Sequence, residues 1–207
     1  MSYEIERRFV RFDRTFIENK LKELNATKQG IYHFKIIQFN SKLKTLRIRD
    51  EGFQKTLTIK EKTKNYDIEN EVNIDNFNEM KIILEKLGFK KKYYMEKIRE
   101  IYHFDNCELI FDHYPGLPGY IEIEAPSDEK LKEVSNFFGL DFNEKFYNYS
   151  ILYNEIYGID DLVLSNNDLN LSFDNANFVI KPLIKKNKEN FEKILNGQLK
   201  LLQKIDL

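Results

Sequence analysis

Pairs of like charges recur two residues apart along this chain. In an extended strand, residues at a spacing of two lie on the same side, so each pair places two equal charges on one face. The residues between them are mostly apolar, as at Ile48, Ile98 and Ile123. The pattern therefore predicts strands with one charged face and one apolar face. The pairs are Glu4 and Glu6, Arg47 and Arg49, Lys60 and Lys62, Glu69 and Glu71, Lys97 and Arg99, and Glu122 and Glu124.

Alternating and helical patterns divide the chain into eight strands and several helices. Asp13 is expected to cap the first helix, and Gly88 is expected to end the second with a left-handed conformation. The predicted strands span residues 3–11, 30–40, 45–50, 55–62, 68–74, 95–104, 107–114 and 119–125. The predicted helices span residues 13–25, 76–87, 128–138, 142–157 and 187–205. Residues 160–161 and 166–168 are predicted to be loops.

These elements predict an α+β fold whose antiparallel strands close into an eight-stranded β-barrel. A barrel of this size has an interior just wide enough for side chains and one small ligand. Because the apolar faces would pack against flanking helices, the charged faces would line the lumen of a tunnel. We predict one tunnel domain over residues 1–158. Residues 159–207 are predicted to form a loop and helical extension that packs on this domain through an apolar helical stripe.

A lumen lined with charges needs partners for them, because unpaired buried ions destabilise a fold. Acids opposite bases meet part of this need. Mg²⁺ and Mn²⁺ favour carboxylate and water oxygens, and Mg²⁺ is commonly held by one or two carboxylates together with substrate phosphates. Arginine and lysine suit phosphate oxygens. A metal-complexed polyphosphate satisfies both kinds of side chain.

The composition excludes several other classes of protein. Hydrophobic residues make up 42% of the chain and charged residues 32%, which indicates a globular protein. The net charge of −1 argues against a surface dedicated to nucleic acid. The single cysteine, Cys107, is predicted to be a packing residue. No apolar stretch is long enough to span a bilayer and no secretory leader is recognised, so we expect a cytoplasmic protein, with oligomerisation left open.

The charged residues also belong to an ordered set of short motifs. The set begins with Glu4-Ile5-Glu6-Arg7-Arg8. The later motifs are Leu46-Arg47-Ile48-Arg49, Leu57-Thr58-Ile59-Lys60, Glu69-Asn70-Glu71, Leu87-Gly88-Phe89, Lys97-Ile98-Arg99 with Tyr102, Phe111-Asp112, and Tyr120-Ile121-Glu122-Ile123-Glu124. Through these motifs the sequence resembles the CYTH superfamily over about residues 2–157. That superfamily covers class IV adenylyl cyclases, thiamine triphosphatases and inorganic tripolyphosphatases, and its N-terminal motif is E-x-E-x-K.

The resemblance implies an eight-stranded tunnel that binds a triphosphate and one or two Mg²⁺ or Mn²⁺ ions. It implies metal ligands at Glu4, Glu6, Glu69, Glu71, Asp112, Glu122 and Glu124. It implies phosphate contacts at Arg8, Arg47, Arg49, Lys60, Lys97 and Arg99, with Lys62 a less close match. Catalytic roles carry over to Glu4, Glu6 and Arg8. Arg8 replaces the lysine of the motif: the charge is kept, but the high pKa of arginine makes it a poor proton-transfer group.

Three functions stay open on this sequence. The first hypothesis is a metal-dependent hydrolase of tripolyphosphate or thiamine triphosphate, in which water releases the terminal phosphate. The second is an adenylyl cyclase, which needs a pocket for base and ribose that the sequence does not identify. The third is a non-catalytic sensor of polyphosphate or nucleotide. So many carboxylates argue against the sensor, because they would weaken simple anion binding.

Overall fold

The computed structural model describes residues 5–42, 45–62, 67–145, 147–160, 164 and 169–205, with the side chains of residues 62 and 67 excepted. The strands are β1 Ile5–Phe9, β2 Thr27–Phe39, β3 Thr45–Asp50, β4 Lys55–Lys62, β5 Asp67–Asn73, β6 Lys91–Phe104, β7 Cys107–His113, β8 Tyr120–Ala125 and β9 Leu169–Leu171. The helices are α1 Arg14–Glu23, α2 Phe77–Lys86, α3 Asp128–Phe137, α4 Tyr149–Tyr157, α5 Ala176–Val179 and α6 Lys188–Ile205. A 3₁₀ turn, Lys181–Leu183, separates α5 from α6.

The strands form one sheet in the order β1-β8-β7-β6-β2-β3-β4-β5. Neighbours along this path are antiparallel, and the short β9 pairs in parallel with β6. The predicted α+β fold with eight antiparallel strands is therefore confirmed. Within the described residues no pairing joins β1 to β5, so the sheet has the path of a tunnel without strict closure.

Local capping explains where the first two helices begin and end. The Asp13 carboxylate accepts a hydrogen bond from the Phe16 backbone N–H at 3.1 Å, which satisfies an otherwise unpaired donor of α1. Gly88 follows α2 with a φ of +93°, a left-handed conformation that glycine adopts without strain. The next residue, Phe89, returns its N–H to the Leu84 carbonyl at 3.0 Å. The start of α1 and the end of α2 are thus explained by the residues that predicted them, Asp13 and Gly88.

The fourth helix is shorter than predicted. The prediction of helix from residue 142 was wrong, because α4 begins at Tyr149. Asn148 caps it by accepting the Ile151 N–H at 2.9 Å, while Asp141 accepts the Asn143 N–H at 2.9 Å in a preceding turn. Polar side chains that bond to nearby backbone favour caps and turns over helix interiors. Asp160 lies in irregular structure, whereas residues 161 and 166–168 fall outside the described residues.

Apolar side chains pack on helices away from the charged residues. One buried cluster joins β1, β7 and β8 to α1 and α3, with Ile123 fully buried. A second joins β2 and β3 to α2, with Ile48 fully buried. A third surrounds Ile98 and includes α4 and α6. Among the described residues, no helix has the length and apolar character needed to cross a membrane. The helices therefore cover the apolar side of the sheet.

Candidate functional site

Strand register places the predicted charged residues on one face of the sheet. Arg8 pairs with Glu122 between β1 and β8, and residues that pair directly across two strands share a face. Asp112 of β7 and Tyr120 of β8 continue this face to Arg99 of β6. On the other side of β2, the face carries Arg47, Arg49, Lys60, Glu69 and Glu71. Glu4 lies outside the described residues, and Lys62 ends β4 with its side chain undescribed.

Five of these residues form a buried ion-pair network, which consists of Arg8, Lys97, Arg99, Asp112 and Glu122. The Arg99 guanidinium donates two hydrogen bonds to the Asp112 carboxylate, at 2.8 and 2.7 Å. A third bond from Arg99 reaches Glu122 at 2.8 Å. The Lys97 ammonium donates to Asp112 at 2.8 Å, and Arg8 donates to Glu122. Asp112 is 0% exposed and Glu122 is 2% exposed, so the two carboxylates of the network are shielded from solvent.

Burial and charge act in opposite directions on the carboxyl groups of this network. Burial alone would raise the pKa of Glu122, but the charges of Arg99 and Arg8 outweigh it and lower the pKa to about 2. The same balance holds the pKa of Asp112 well below its usual range. Burial, followed by the charge of Arg99, lowers the pKa of Lys97 to about 8. Both carboxylates are therefore fixed as anions at neutral pH.

Three carboxylates meet beside this network and form the carboxylate cluster, Glu6, Glu122 and Glu124. One oxygen from each lies within 4.8 Å of the others. Glu6 has a side chain 47% exposed, so the cluster opens to solvent on its side. Oxygen donors with several negative charges suit a hard divalent cation such as Mg²⁺ or Mn²⁺. Arg8, which bonds to Glu6 at 3.1 Å, places a positive charge at the edge of the cluster.

Across the same face lies the cation group, Arg47, Arg49 and Lys60. Their side chains are only partly buried, at 24%, 17% and 29% exposure. Arg47 lies 3.4 Å from Glu69, and its buried Nε has no hydrogen-bond partner among the described residues. Burial, followed by the charge of Arg49, lowers the pKa of Arg47. The group therefore keeps one buried donor, the Nε of Arg47, that its carboxylate partners leave without a hydrogen bond among the described residues.

The structure divides the predicted metal ligands into two sets. Glu6, Glu122 and Glu124 come together, whereas Glu4 lies outside the described residues. Asp112 instead bonds to Lys97 and Arg99, while Glu69 and Glu71 pair with the cation group.

Thr58 and Glu51 were not predicted as site residues, yet they contact Glu71 and Arg49 at 2.7 and 3.0 Å. Tyr120 was quoted as part of a motif without a role in the site, and its hydroxyl donates to Asp112 at 3.3 Å. The phase of β4 and β8 was a signal that could have found Thr58 and Tyr120, since each lies two residues from a selected charge.

Acid should destabilise the protein through these buried carboxyl groups when no metal is added. A carboxyl whose folded pKa is depressed contributes stability above its unfolded value, and that contribution is lost as the pH falls through the folded value. For Glu122 the stability is lost between pH 4.5, the ordinary pKa, and about pH 2, the pKa in the folded protein. The free energy of unfolding lost over this range is roughly 3 kcal/mol. Urea unfolding at pH values across this range should show the decline. Glu122→Gln should reduce the decline to the part that Asp112 contributes, and an unchanged slope would contradict the assignment.

Comparisons with known proteins agree with this geometry. The sequence matches the CYTH domain over residues 2–145, which is more than half of the chain. The chain belongs to the CYTH family. A protein of Methanocaldococcus jannaschii named as a candidate adenylate cyclase is 39% identical over 83 residues. That similarity covers 38% of this CYTH chain and 47% of the relative, so the chain spans about half the length of the curated relative it matches.

Solved structures of low sequence identity share the CYTH fold. A protein of Pyrococcus horikoshii, 22% identical, covers 72% of this chain and 99% of its own, with a TM-score of 0.62. A candidate adenylate cyclase of Vibrio parahaemolyticus, 16% identical, covers 74% and 98%, with a TM-score of 0.63. At such identities the likeness concerns the fold alone.

Proposed function

We propose that this CYTH protein is a divalent-metal-dependent hydrolase that removes the terminal phosphate from a small triphosphate, either inorganic tripolyphosphate or thiamine triphosphate. The observation that carries the proposal is the combination of the carboxylate cluster and the cation group on one face of one sheet. The carboxylate cluster alone would suit a cation, and the cation group alone would suit an anion. A metal-complexed triphosphate carries both kinds of charge and so matches both groups at once.

The cation group supports the binding of phosphate oxygens. Two arginines at a spacing of two repel each other, and the lowered pKa of Arg47 reflects burial together with that repulsion. An anion between them relieves the repulsion, and the Nε of Arg47 supplies a donor for it. Guanidinium groups bind phosphate in bidentate geometry, whereas Lys60 contributes a point charge. The phosphate oxygens of the substrate therefore bind at this group.

The carboxylate cluster fits a divalent cation by its donor chemistry. Glu6, Glu122 and Glu124 would hold the ion, and all three offer only oxygen ligands. A divalent cation bound there supplies Lewis-acid chemistry to phosphate and water oxygens. The buried ion-pair network holds Glu122 in place, because Arg8 and Arg99 bond to its two oxygens. This arrangement fixes one ligand before a metal arrives.

The chain's own residues position the reaction. Water attacks the terminal phosphorus, the bond from that phosphorus to the bridging oxygen breaks, and orthophosphate and the shortened chain leave. The charge of Arg8, beside the cluster, stabilises negative charge on the phosphate oxygens. Glu6 is the most exposed member of the cluster and is placed to orient the water and accept its proton. Such positioning and charge stabilisation are the main contributions of a protein to phosphoryl transfer.

An adenylyl cyclase is the second candidate, favoured by the name of the Methanocaldococcus relative. It would use the same face but direct the 3′-hydroxyl of ATP at the α-phosphate, with pyrophosphate as the leaving group. The hydrolase needs only the charges already described, whereas the cyclase also needs contacts to base and ribose. The hydrolase is therefore the first candidate.

Product analysis tests the proposal. Purified protein with Mg²⁺ or Mn²⁺ is offered tripolyphosphate, thiamine triphosphate and ATP separately, beside a Glu4→Gln/Glu6→Gln variant. Metal-dependent release of orthophosphate that the variant lacks is the expected result. Cyclic AMP and pyrophosphate from ATP would make the protein a cyclase. No turnover together with metal-independent binding of triphosphate would leave a sensor.

Replacing Arg47 by methionine should weaken substrate binding more than it slows the chemical step. The variant removes a charged donor but keeps a long apolar side chain, so the fold should persist. We expect the KM for the hydrolysed triphosphate to rise by roughly tenfold, since a hydrogen bond to a charged group contributes about 1.5 kcal/mol. Lys55→Met is the matched control, because Lys55 pairs with Asp50 on the opposite face of the same hairpin. Equal KM values for the two variants would contradict the role of Arg47.

A further inference from the structure

The C-terminal extension contacts the loop that connects β7 to β8. This loop, residues 114–119, carries two prolines and two glycines. The CYTH match ends at residue 145. Two solved structures align over 98 to 99% of their own length, but the alignment includes only 72 to 74% of this chain. The extension after α4 therefore adds to the part that the family match covers. Its longest helix, α6, packs in the same buried cluster as Leu117.

One side chain of α6 makes three hydrogen bonds to this loop. The Gln198 Oε1 accepts the Gly116 N–H at 2.7 Å, and its Nε2 donates to the carbonyls of Tyr114 and Leu117, both at 3.0 Å. Gln198 is 6% exposed, so these bonds lie away from water. A buried amide that satisfies three backbone groups fixes their positions, because each would be costly to leave unpaired.

Two tyrosines and a phenylalanine complete the contact with the loop. The hydroxyls of Tyr153 and Tyr157 in α4 donate to the carbonyls of Pro115 and Gly116. Phe191 of α6 lies so close that a Cβ on Gly116 would be 2.1 Å from its ring, and Gly116 also has a φ of +73°. The loop is thus held by side chains from both α4 and the extension.

The two ends of the loop lead directly into the candidate site. Asp112 lies two residues before Tyr114, and Tyr120 follows the loop and donates to Asp112 at 3.3 Å. Glu122 and Glu124 lie on the same face of β8, two and four residues after Tyr120. A shift of the loop would therefore move β7 against β8 and disturb the ion pairs that hold Glu122.

We propose that Gln198 is a positioning residue of the site, through which the C-terminal extension fixes the β7–β8 loop and so the carboxylate cluster. The inference rests on the proposed function, because it concerns the same cluster. Outer groups that orient metal ligands typically change metal affinity by roughly 10- to 100-fold when they are removed. Gln198 acts at a longer range, through the loop backbone, so we expect an effect near the lower end of this range.

The test compares Gln198→Leu with Gln203→Leu, a matched control because Gln203 is exposed on the same helix. Mn²⁺ alone is titrated into metal-free protein and followed by electron paramagnetic resonance. We expect the Kd for Mn²⁺ to rise roughly tenfold in Gln198→Leu and to stay at the wild-type value in Gln203→Leu. In the hydrolysis assay, the metal concentration for half-maximal rate should rise in parallel, while the rate at saturating metal approaches that of the wild type.

A merely structural role would give a different result. Irreversibly unfolded protein lowers the amplitude of Mn²⁺ binding and the maximal rate, but it leaves the metal midpoint unchanged. Reversible unfolding raises the midpoint only by the inverse of the folded fraction, which circular dichroism of the metal-free variant measures, and the midpoint is corrected for it. A midpoint that stays unchanged, or equal midpoints for the two variants, would overturn the inference. Hydrolysis by the wild-type protein would leave the proposed function intact in that case. A wild-type protein that neither binds Mn²⁺ nor hydrolyses triphosphate would overturn both.

A milder substitution keeps the inference testable if Gln198→Leu does not fold. Tyr157→Phe removes only the hydroxyl that donates to Gly116, and its ring can remain packed against Phe191. We expect a smaller rise in the Kd for Mn²⁺ in the same direction, with faster amide hydrogen exchange in the loop. Unchanged Mn²⁺ affinity together with faster exchange would show that the loop does not position the cluster, and would overturn the inference.

Discussion

Replacing Arg99 by methionine should lower the free energy of unfolding by about 3 to 5 kcal/mol. Arg99 bonds to both Asp112 and Glu122, which are 0% and 2% exposed. The variant leaves two buried carboxylates next to each other with less positive charge between them. Urea unfolding at neutral pH measures the change. Lys81→Met is the control, since Lys81 and its partner Glu85 are 39% and 43% exposed and lie 3.9 Å apart, so its loss should have little effect.

The same substitution should also reverse the acid behaviour of the network. Without Arg99, burial and mutual repulsion would raise the pKa values of Asp112 and Glu122, whose pKa values the intact network lowers. The variant should therefore regain part of its stability as the pH falls, whereas the wild type loses stability. If the Arg99 variant were as stable as the control at neutral pH, the ion-pair network would not be what holds the side chains of this face in place.

Replacing Glu6 by glutamine should reduce hydrolysis by at least roughly 100-fold, the upper end of the effect expected for groups outside the metal's own ligand set. Glutamine keeps the shape and one oxygen donor but removes a negative charge from the carboxylate cluster. Because Glu6 is 47% exposed, the folded state should persist, as a thermal unfolding curve can verify. The rate is measured by orthophosphate release at several metal concentrations.

Glu23→Gln is the matched control for the Glu6 variant. Glu23 ends α1, is 59% exposed and pairs with Lys20 three residues earlier on the same helix. It should retain wild-type activity and metal dependence. If both variants kept full activity, Glu6 would have no part in the reaction, and the carboxylate cluster would not be the metal site.

Strand periodicity was enough to predict which residues share the charged face. A spacing of two is a property of the extended chain, so Glu122 and Glu124 lie on one face wherever β8 is placed. Which acids meet depends on the register between two strands, and the sequence of one strand does not determine that register. Glu6 meets Glu124 because β1 pairs with β8 in one particular alignment. Asp112 pairs with Arg99 by the same kind of rule, and this pairing separates it from the carboxylate cluster.

Periodicity could not predict very short elements or contacts between residues that are far apart in the chain. β9 has only three residues, Leu169–Leu171, so it has no repeat to detect, and it forms because β6 offers it an edge. The start of α4 was misplaced because Asp141 and Asn148 are both good caps, and local sequence does not rank them. The bonds of Gln198 to the β7–β8 loop join residues far apart in the chain, so an apolar stripe could predict that α6 packs, but not where.

The location of a divalent ion is the most direct test of this account. Crystals of the protein soaked in Mn²⁺ should give an anomalous difference peak bounded by the carboxylates of Glu6, Glu122 and Glu124. A triphosphate analogue added to the soak should place phosphate density between that peak and Arg47 and Arg49. An anomalous peak elsewhere, such as beside Glu69 and Glu71 with none at the carboxylate cluster, would contradict the account.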